Sequence, residues 1–235
     1  MSEFLDIHSA IQKLGNKKRA IGSARFFKTG PGQYGEGDIF LGLTVPQCRF
    51  VSQSYTTISL STIKKLLTSK IHEERLIALL ILVDQYRRSG DQDKKTIFHF
   101  YLSQTQYINN WDLVDLSADK IVGEFLYTTS PVILKKLAKS QNLWERRIAM
   151  IATFAFIKKG EYAITFAIAK ILLHDNHDLI HKACGWMLRE VGKRVSKKQL
   201  IIFLNQYSKT MPRTMLRYAI EHFSDKERQK FLNKK

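Results

Sequence analysis

With 235 residues, 44% of them hydrophobic and 25% charged, the chain is too apolar to be disordered and long enough to bury a substantial core, as one domain or two small ones. Its 38 Lys and Arg against 21 Asp and Glu give a formal charge of +17. That surplus points to a polyanionic partner, nucleic acid first and an anionic membrane surface second; a basic surface kept for solubility is the plain alternative.

The opening MSEFLDIHSAIQK lacks the apolar stretch of a secretory leader, and no run of about 18 apolar residues occurs, so neither export nor a membrane span is expected. FLDIHSAIQKLGNKKRAIGSARFFKTG reads as one or two amphipathic helices. The glycine-rich GPGQYGEGDIFLGLTVPQCRF follows as an ordered loop. It carries no GxxxxGKS/T and no βαβ context, which argues against a nucleotide phosphate loop and leaves a role beside DNA open. Cys48 in this segment and Cys184 in KACGWML form neither a CxxC nor a disulfide framework, which fits a reducing cytosol, with Cys184 a small core residue.

From residue 60 the chain reads as helix after helix, with apolar residues recurring at three and four and breaks at Gly90, Thr129–Pro131 and Gly160. The helices fall into pairs. SLSTIKKLLTS precedes HEERLIALLILVDQYRRSG, and DKKTIFHFYLSQTQ precedes WDLVDLSADKIVGEFLYT. SPVILKKLAKS precedes NLWERRIAMIATFAFIKKG, GEYAITFAIAKILLH precedes HDLIHKACGWMLREVGKRV, and SKKQLIIFLNQYSK precedes MPRTMLRYAIEHF. The second helices start near residues 72, 111, 142, 176 and 211, a spacing of roughly 31 to 39 residues typical of helical repeats. EERLIA at 73–78 echoes WERRIA at 144–149. The expected fold is all-α: a single domain over residues 1–235, with N-terminal helices and a loop over 1–59 and an α-solenoid of two-helix repeats over 60–225. Stacked repeats of this kind form a curved superhelix whose concave face is the natural binding surface; an irregular helical bundle is the alternative.

The stretch NNWDLVD, residues 109–115, is the candidate site. Asn110 suits an N-cap, and Asp112 in the first turn suits the helix dipole, so Asp112 is expected to be structural. Trp111 and Asp115 are four apart and share a helix face. Trp186, Arg146 and Arg147 also sit on second helices, so Trp111, Asp115, Arg147 and Trp186 are expected to converge across three successive repeats. Trp144, at an apolar helix entry, is expected to pack in the core. Taken singly, a core tryptophan and a solvated aspartate are the bland alternatives for Trp111 and Asp115. Together the residues suit a cationic nucleotide: aromatic faces attract a cation, a carboxylate stabilises positive charge, and arginines hold phosphates. A purine alkylated on a ring nitrogen is such a cation, and it leaves its sugar as a neutral base without a general acid.

These residues carry a resemblance over essentially the whole chain. ARFFKTGPGQYGEGDIFLGLTVPQCR, NNWDLVD, LWERRIAM and KACGWMLRE resemble the AlkD-like family of bacterial DNA alkylation-repair glycosylases, built from HEAT-like repeats. The resemblance implies that Trp111 and Asp115 are the catalytic pair, that Trp186 is a second site tryptophan, that Arg147 contacts phosphate, and that Phe26 lies against the lesion region. Two positions depart from the family pattern: Asn110 stands where a tryptophan often precedes the motif tryptophan, and Phe26 lacks the hydroxyl of the family's tyrosine. The implied activity is excision of N3-alkyladenine and N7-alkylguanine from double-stranded DNA, without a cofactor or metal, by a monomeric cytoplasmic protein associated with the nucleoid. Arg189, Lys182, Lys193 and Arg194 are further candidate phosphate contacts.

Three rival readings remain at this level. A DNA-structure binder without catalysis uses the same solenoid and predicts that Asp115→Asn leaves function intact. A protein-interaction scaffold predicts a hydrophobic concave face. A metal enzyme draws on His174, His177 and His181 in HDNHDLIH, although no HExxH is present. No lysine stands out as a Schiff-base nucleophile, so cleavage of the abasic product is not expected.

Overall fold

The computed structural model describes residues 3–233. It is all-helical: α1 (Glu3–Leu14), α2 (Lys17–Phe26), α3 (Val45–Gln53), α4 (Leu60–Leu67), α5 (His72–Arg88), α6 (Asp91–Ser103), α7 (Trp111–Ala118) and, beyond a π-helical segment at Asp119–Gly123, α8 (Glu124–Thr128). There follow α9 (Val132–Leu137), α10 (Leu143–Ala152), α11 (Phe154–Lys158), α12 (Ala163–Ile171), α13 (Asp178–Arg194), α14 (Lys197–Tyr207), α15 (Arg213–Ala219) and α16 (Asp225–Leu232). Among the described residues the only strand-like pairing is an isolated bridge between Ile39 and Ile71. No described helix is long and apolar enough to cross a membrane.

Local chemistry starts most of these helices where the sequence places them. Asn16 accepts from the Arg19 amide, Ser59 from Thr62, Asn142 from Trp144 and Ser196 from Gln199, each relieving an unpaired first-turn donor. Thr44 and Gln47 form a capping box at α3, as do Ser224 and Glu227 at α16. Gly160 takes φ 84° just after α11, a conformation that strongly favours glycine. The second helices begin at 72, 111, 143, 178 and 213, within two residues of the spacing read from sequence.

Two long segments read as single helices are interrupted. WDLVDLSADKIVGEFLYT passes through the π turn at Asp119–Gly123. There Gly123 lies so close to the next layer that an added Cβ would meet the Ala152 carbonyl at 2.3 Å. NLWERRIAMIATFAFIKKG breaks at the fully buried Thr153, whose hydroxyl bonds back to the Met150 carbonyl at 2.7 Å. Two elements depart from the sequence reading: α3 begins inside the segment expected to be a loop, where Thr44 and Gln47 cap it, and α16 is left out altogether, although Ser224 and Glu227 form an S-x-x-E helix start.

The packing separates into two compact units, one ending at Ser117 and the other beginning at Ala118. In the first, α5 is the centre: α1, α3 and α4 pack on it and bury Ile63, Leu66, Leu67, Ile77 and Ile81. In the second, the second helices α10, α13 and α15 pack in succession, while the first helices α9 and α12 meet each other. That layering of first on first and second on second is how two-helix repeats share one continuous core.

Candidate active site

The chain enters α7 through two local hydrogen bonds. Asn110, fully buried, accepts from the Trp111 amide at 2.8 Å through its side chain, and its carbonyl accepts from the Val114 amide. The far end is tied down by Ser117, which donates to the Leu113 carbonyl at 2.6 Å and meets the Tyr101 hydroxyl at 2.9 Å. Leu113 and Val114 anchor the buried face, leaving Trp111 and Asp115, both half-buried, on the other.

Trp111 is held from behind by a cluster of rings. Phe27 stacks on it with centroids 5.2 Å apart and planes 14° from parallel, and Phe40 stacks on Phe27 at 4.9 Å and 17°. His72 lies against both, 4.6 Å from Phe40 at 22° and 5.0 Å from Phe27 at 36°. The exposed Phe26 meets Trp111 edge-on at 5.7 Å. Aromatic pairs in such geometries gain about 0.5–1.5 kcal/mol beyond their buried area. The cluster is tied back to α7: His72 Nε2 donates to Asp112 Oδ2 at 2.8 Å, and Asp112 is the residue bonded to Trp111. Ring stack, hydrogen bond and backbone thus close a circuit that fixes the plane of Trp111.

The charged end of that circuit is buried. His72 Nδ1 faces Asp38 Oδ2 at 3.4 Å, and Arg75 Nη2 donates to the same oxygen at 2.6 Å. Burial lowers the His72 pKa, but Asp112 and Asp38 outweigh it together and raise it above the ordinary imidazole value despite the nearby Arg75. For Asp38, burial is outweighed by hydrogen bonds and attraction from His72 and Arg75, which lower its pKa. One imidazolium and one guanidinium against two carboxylates leave the cluster neutral, the condition under which buried charges are tolerable. Asp112 therefore has the structural role its position suggests, and it does more than cap: it ties α7 to α5.

The glycine-rich loop is held by Glu73, only 2% exposed, whose carboxylate accepts from the amides of Leu41, Gly42 and Leu43 at 2.8–3.2 Å. At Gly42, φ is 81° and an added Cβ would lie 2.4 Å from the Asn16 carbonyl, so glycine is needed there on both counts. The loop is thus a scaffold for Phe40 and Asp38. Sequence reasoning missed Phe27, Phe40, His72, Glu73 and Arg75. The available signal was HEER at the start of α5: four ionisable residues, all buried, directly ahead of the apolar run LIALLILV.

In the second unit, Trp186 is half-buried on α13 and tilts 46° against Phe154 at 6.1 Å. Lys158 Nζ and the Arg194 guanidinium lie over Phe154 at 4.6 and 5.3 Å. Lys158 also reaches the buried Asp119 at 2.6 Å. Phe154 is another residue the sequence reading passed over. Arg147 is 5% exposed and donates to the Leu179 carbonyl at 2.5 Å. Arg189 is paired with Glu190 and Glu221, Arg194 with Glu190 at 2.6 Å, and Lys182 with Asp178 at 2.6 Å. Lys193 is exposed on the same helix. Arg146 instead binds Asp175 at 2.6 Å and two backbone carbonyls.

The remaining candidates are packing groups. Trp144 is buried, as its helix-entry position suggested. His177 accepts from the Leu179 amide at the start of α13, and His181 bonds the Asp175 carbonyl. Among the described residues, no three His, Cys, Asp or Glu side chains are grouped to hold a metal. Cys48 and Cys184 are buried, and burial pushes both thiols up, that of Cys48 to about 12.

The helical-repeat class of this fold is shared with solved structures. A predicted DNA alkylation repair enzyme from Enterococcus faecalis superposes with a TM-score of 0.71 at 16% identity, covering 90% of this chain and 97% of that one. AlkD2 from Streptococcus mutans matches with a TM-score of 0.58 at 18% identity, over 78% of this chain and 91% of that one. The protein smu.31 from Streptococcus mutans UA159 matches with 0.57 at 16%, over 77% and 92%. No curated protein matches the chain. The family described as DNA alkylation repair enzyme matches residues 7–223, and the chain belongs to that family.

Proposed function

We propose that the protein is a monofunctional DNA glycosylase that releases cationic N3-alkyladenine and N7-alkylguanine from double-stranded DNA. The observation that carries this reading is Trp111 and Asp115 on one face of α7, with the Trp111 plane fixed from behind by Phe27 and by the circuit through His72 and Asp112. A fixed aromatic plane beside a carboxylate suits a positively charged nucleotide better than it suits a neutral one. Membership of a DNA alkylation repair family supports the substrate class.

In this mechanism the C1′–N bond of the alkylated nucleotide breaks, and its electron pair leaves with the base. The base departs neutral, so no general acid is required, unlike sugar hydrolysis with a leaving oxygen. Asp115 stabilises the oxocarbenium-like sugar and positions the water that adds to C1′ with loss of a proton. A unit-charge contact at about 4 Å contributes ~4 kcal/mol at an effective dielectric near 20, roughly a thousandfold in rate if it acts only in the transition state. Trp111 faces the cationic base, with Phe26 beside it, and Trp186 supplies a second aromatic surface. Arg147, Arg189, Lys182, Lys193 and Arg194 are assigned to backbone phosphates, on family resemblance and charge. The protein acts as a monomer and needs no cofactor.

The test is release of 7-methylguanine from methylated duplex DNA by wild type and Asp115→Asn. Wild-type release, with a loss of tenfold or more in a folded Asp115→Asn, supports the mechanism; tenfold corresponds to ~1.4 kcal/mol. Tight DNA binding without release by wild type makes the protein a non-enzymatic DNA binder. A borohydride-trapped covalent adduct overturns the monofunctional assignment.

A further inference from the structure

The second unit sorts its cations by layer. Its arginines lie on the second helices α10, α13 and α15, apart from Arg228 on α16, whereas the cations of the first helices α9, α12 and α14 are all lysine. No Asp or Glu occurs on those three helices. They form a continuous layer: α9 packs on α12, and α12 meets α14 through Phe166 and Phe203, with centroids 4.7 Å apart, and through Lys170 over the Tyr207 ring at 5.6 Å. Lys135, Lys136, Lys170, Lys197 and Lys198 are exposed on it. Lys197 reaches Glu227 of α16 at 2.7 Å, while Lys135, Lys136 and Lys198 have no acidic partner among the described residues.

Folding does not account for this layer. Solubility is served by mixed signs, as on the first helix α6, where Asp91 and Asp93 stand beside Lys94 and Lys95. The helix dipole favours cations at the carboxyl end, which suits Lys135, Lys136 and Lys170. It opposes Lys197 and Lys198, which occupy the first turn of α14 with no acid beside them. An external polyanion offsets both that penalty and the mutual repulsion of the lysines. A protein partner fits less well. The only large apolar side chains standing exposed on these three helices are Val132 and Ile202, too few for the apolar centre of a stable protein interface. Lysine is a hydrated point charge that meets phosphates without the fixed fork geometry of arginine, which suits a nucleic-acid backbone held loosely.

We propose that the first-helix layer of the second unit, with Lys135, Lys136, Lys170 and Lys198, binds a second DNA duplex by its phosphates. The other layer of the same unit, which carries Arg147 on α10 and Trp186 and Arg189 on α13, faces the duplex under inspection. The two layers turn opposite sides to solvent, so a duplex lying on one leaves the other open. The protein then bridges two segments and passes from one to the next without an interval free in solution. The proposal rests on the protein's DNA-repair family and on the assignment of lesion-bearing DNA to α10 and α13, but not on glycosylase chemistry.

The experiment loads the full-length protein with a fluorescent undamaged duplex and chases it with rising concentrations of unlabelled duplex at fixed salt. Wild type is compared with the triple variant Lys135→Gln, Lys136→Gln, Lys198→Gln, and both are melted thermally. Transfer through a second site makes the rate of loss climb with chase concentration, whereas simple dissociation gives a constant rate. Wild type is expected to climb. In the triple variant the climb is expected to shrink about threefold or more, with the melting temperature unchanged and the affinity for the labelled duplex within about twofold. A wild-type rate independent of chase concentration overturns the proposal, as does a variant that transfers like wild type. A variant that loses affinity for the labelled duplex as much as it loses transfer puts these lysines on the first duplex and also overturns it. Binding to phosphatidylglycerol vesicles that the variant abolishes, with DNA transfer unchanged, gives the layer to a membrane surface instead. Absence of 7-methylguanine release by wild type overturns the glycosylase assignment alone, since the chase does not depend on it.

Discussion

The head of α5 and the surface of α13 use charge in opposite ways. At α5, Glu73, Arg75 and His72 are almost wholly buried: Glu73 accepts from backbone amides, Arg75 donates to the Ser69 carbonyl and to Asp38, and His72 meets Asp38 and Asp112. Along α13 the cations are more exposed: Lys182 pairs with Asp178, Arg189 with Glu190 and Glu221, and Arg194 with Glu190. A buried, paired charge is costly to disturb, so it fixes geometry. A surface ion pair contributes roughly 0–1 kcal/mol and exchanges readily for another anion such as a phosphate. The first arrangement suits holding an aromatic ring in place. The second suits grasping and releasing a polyanion.

The sharpest way to break this contrast is at Glu73. Glu73→Ala leaves the amides of Leu41, Gly42 and Leu43 without their acceptor, and a loss on the order of 3 kcal/mol in denaturant unfolding is expected. A loss below 1 kcal/mol would mean that the loop holds itself. Phe27→Ala comes next. It removes the ring behind Trp111, so 7-methylguanine release should fall about tenfold under single-turnover saturation, with DNA affinity nearly unchanged; Phe27→Tyr, which keeps the stack, should recover most of it.

The buried imidazole gives a pH test. The folded His72 pKa lies above its unfolded value, so its contribution to stability is complete at pH below about 6.5 and is lost as pH rises through the folded value. His72→Phe should therefore cost most stability in mildly acidic buffer and progressively less as the pH is raised. Melting curves of both proteins from pH 5.5 to 9 check the sign, and a difference that grows with pH would contradict it. The smallest stability effect belongs to α13. Lys182→Gln should change stability by less than about 0.5 kcal/mol while lowering the salt slope of DNA binding by about 0.9.

What was legible in the sequence depended on how local its cause was. The second helices could be placed within two residues because periodicity and caps such as Asn142 and Ser196 act over four or five positions. The Trp111–Asp115 pair was legible for the same reason, since both sit on one turn of one helix. Phe27 and Phe40 were not: stacking on Trp111 joins Phe27 to a residue 84 positions away, Phe40 reaches the site through Phe27 and His72, and nothing in ARFFKTG marks one phenylalanine as the partner. The exposed Phe26 drew the attention, while its neighbour makes the parallel stack. The breaks at Thr153 and Gly123 were hidden too: each depends on how closely another layer approaches, and neither residue forbids a helix. Arg147 shows a further limit, since a pattern match marks an arginine but not the Leu179 carbonyl that it meets.

The two sequestered thiols have a practical consequence. Both cysteines of the chain are inaccessible, and burial disfavours the thiolate that maleimides require. A single cysteine introduced at an exposed position such as Lys139 would therefore be the one reactive handle on an otherwise native protein. A dye placed there, with a second on the DNA, would let one molecule be watched as it searches, pauses and departs, with no native residue removed to silence background labelling.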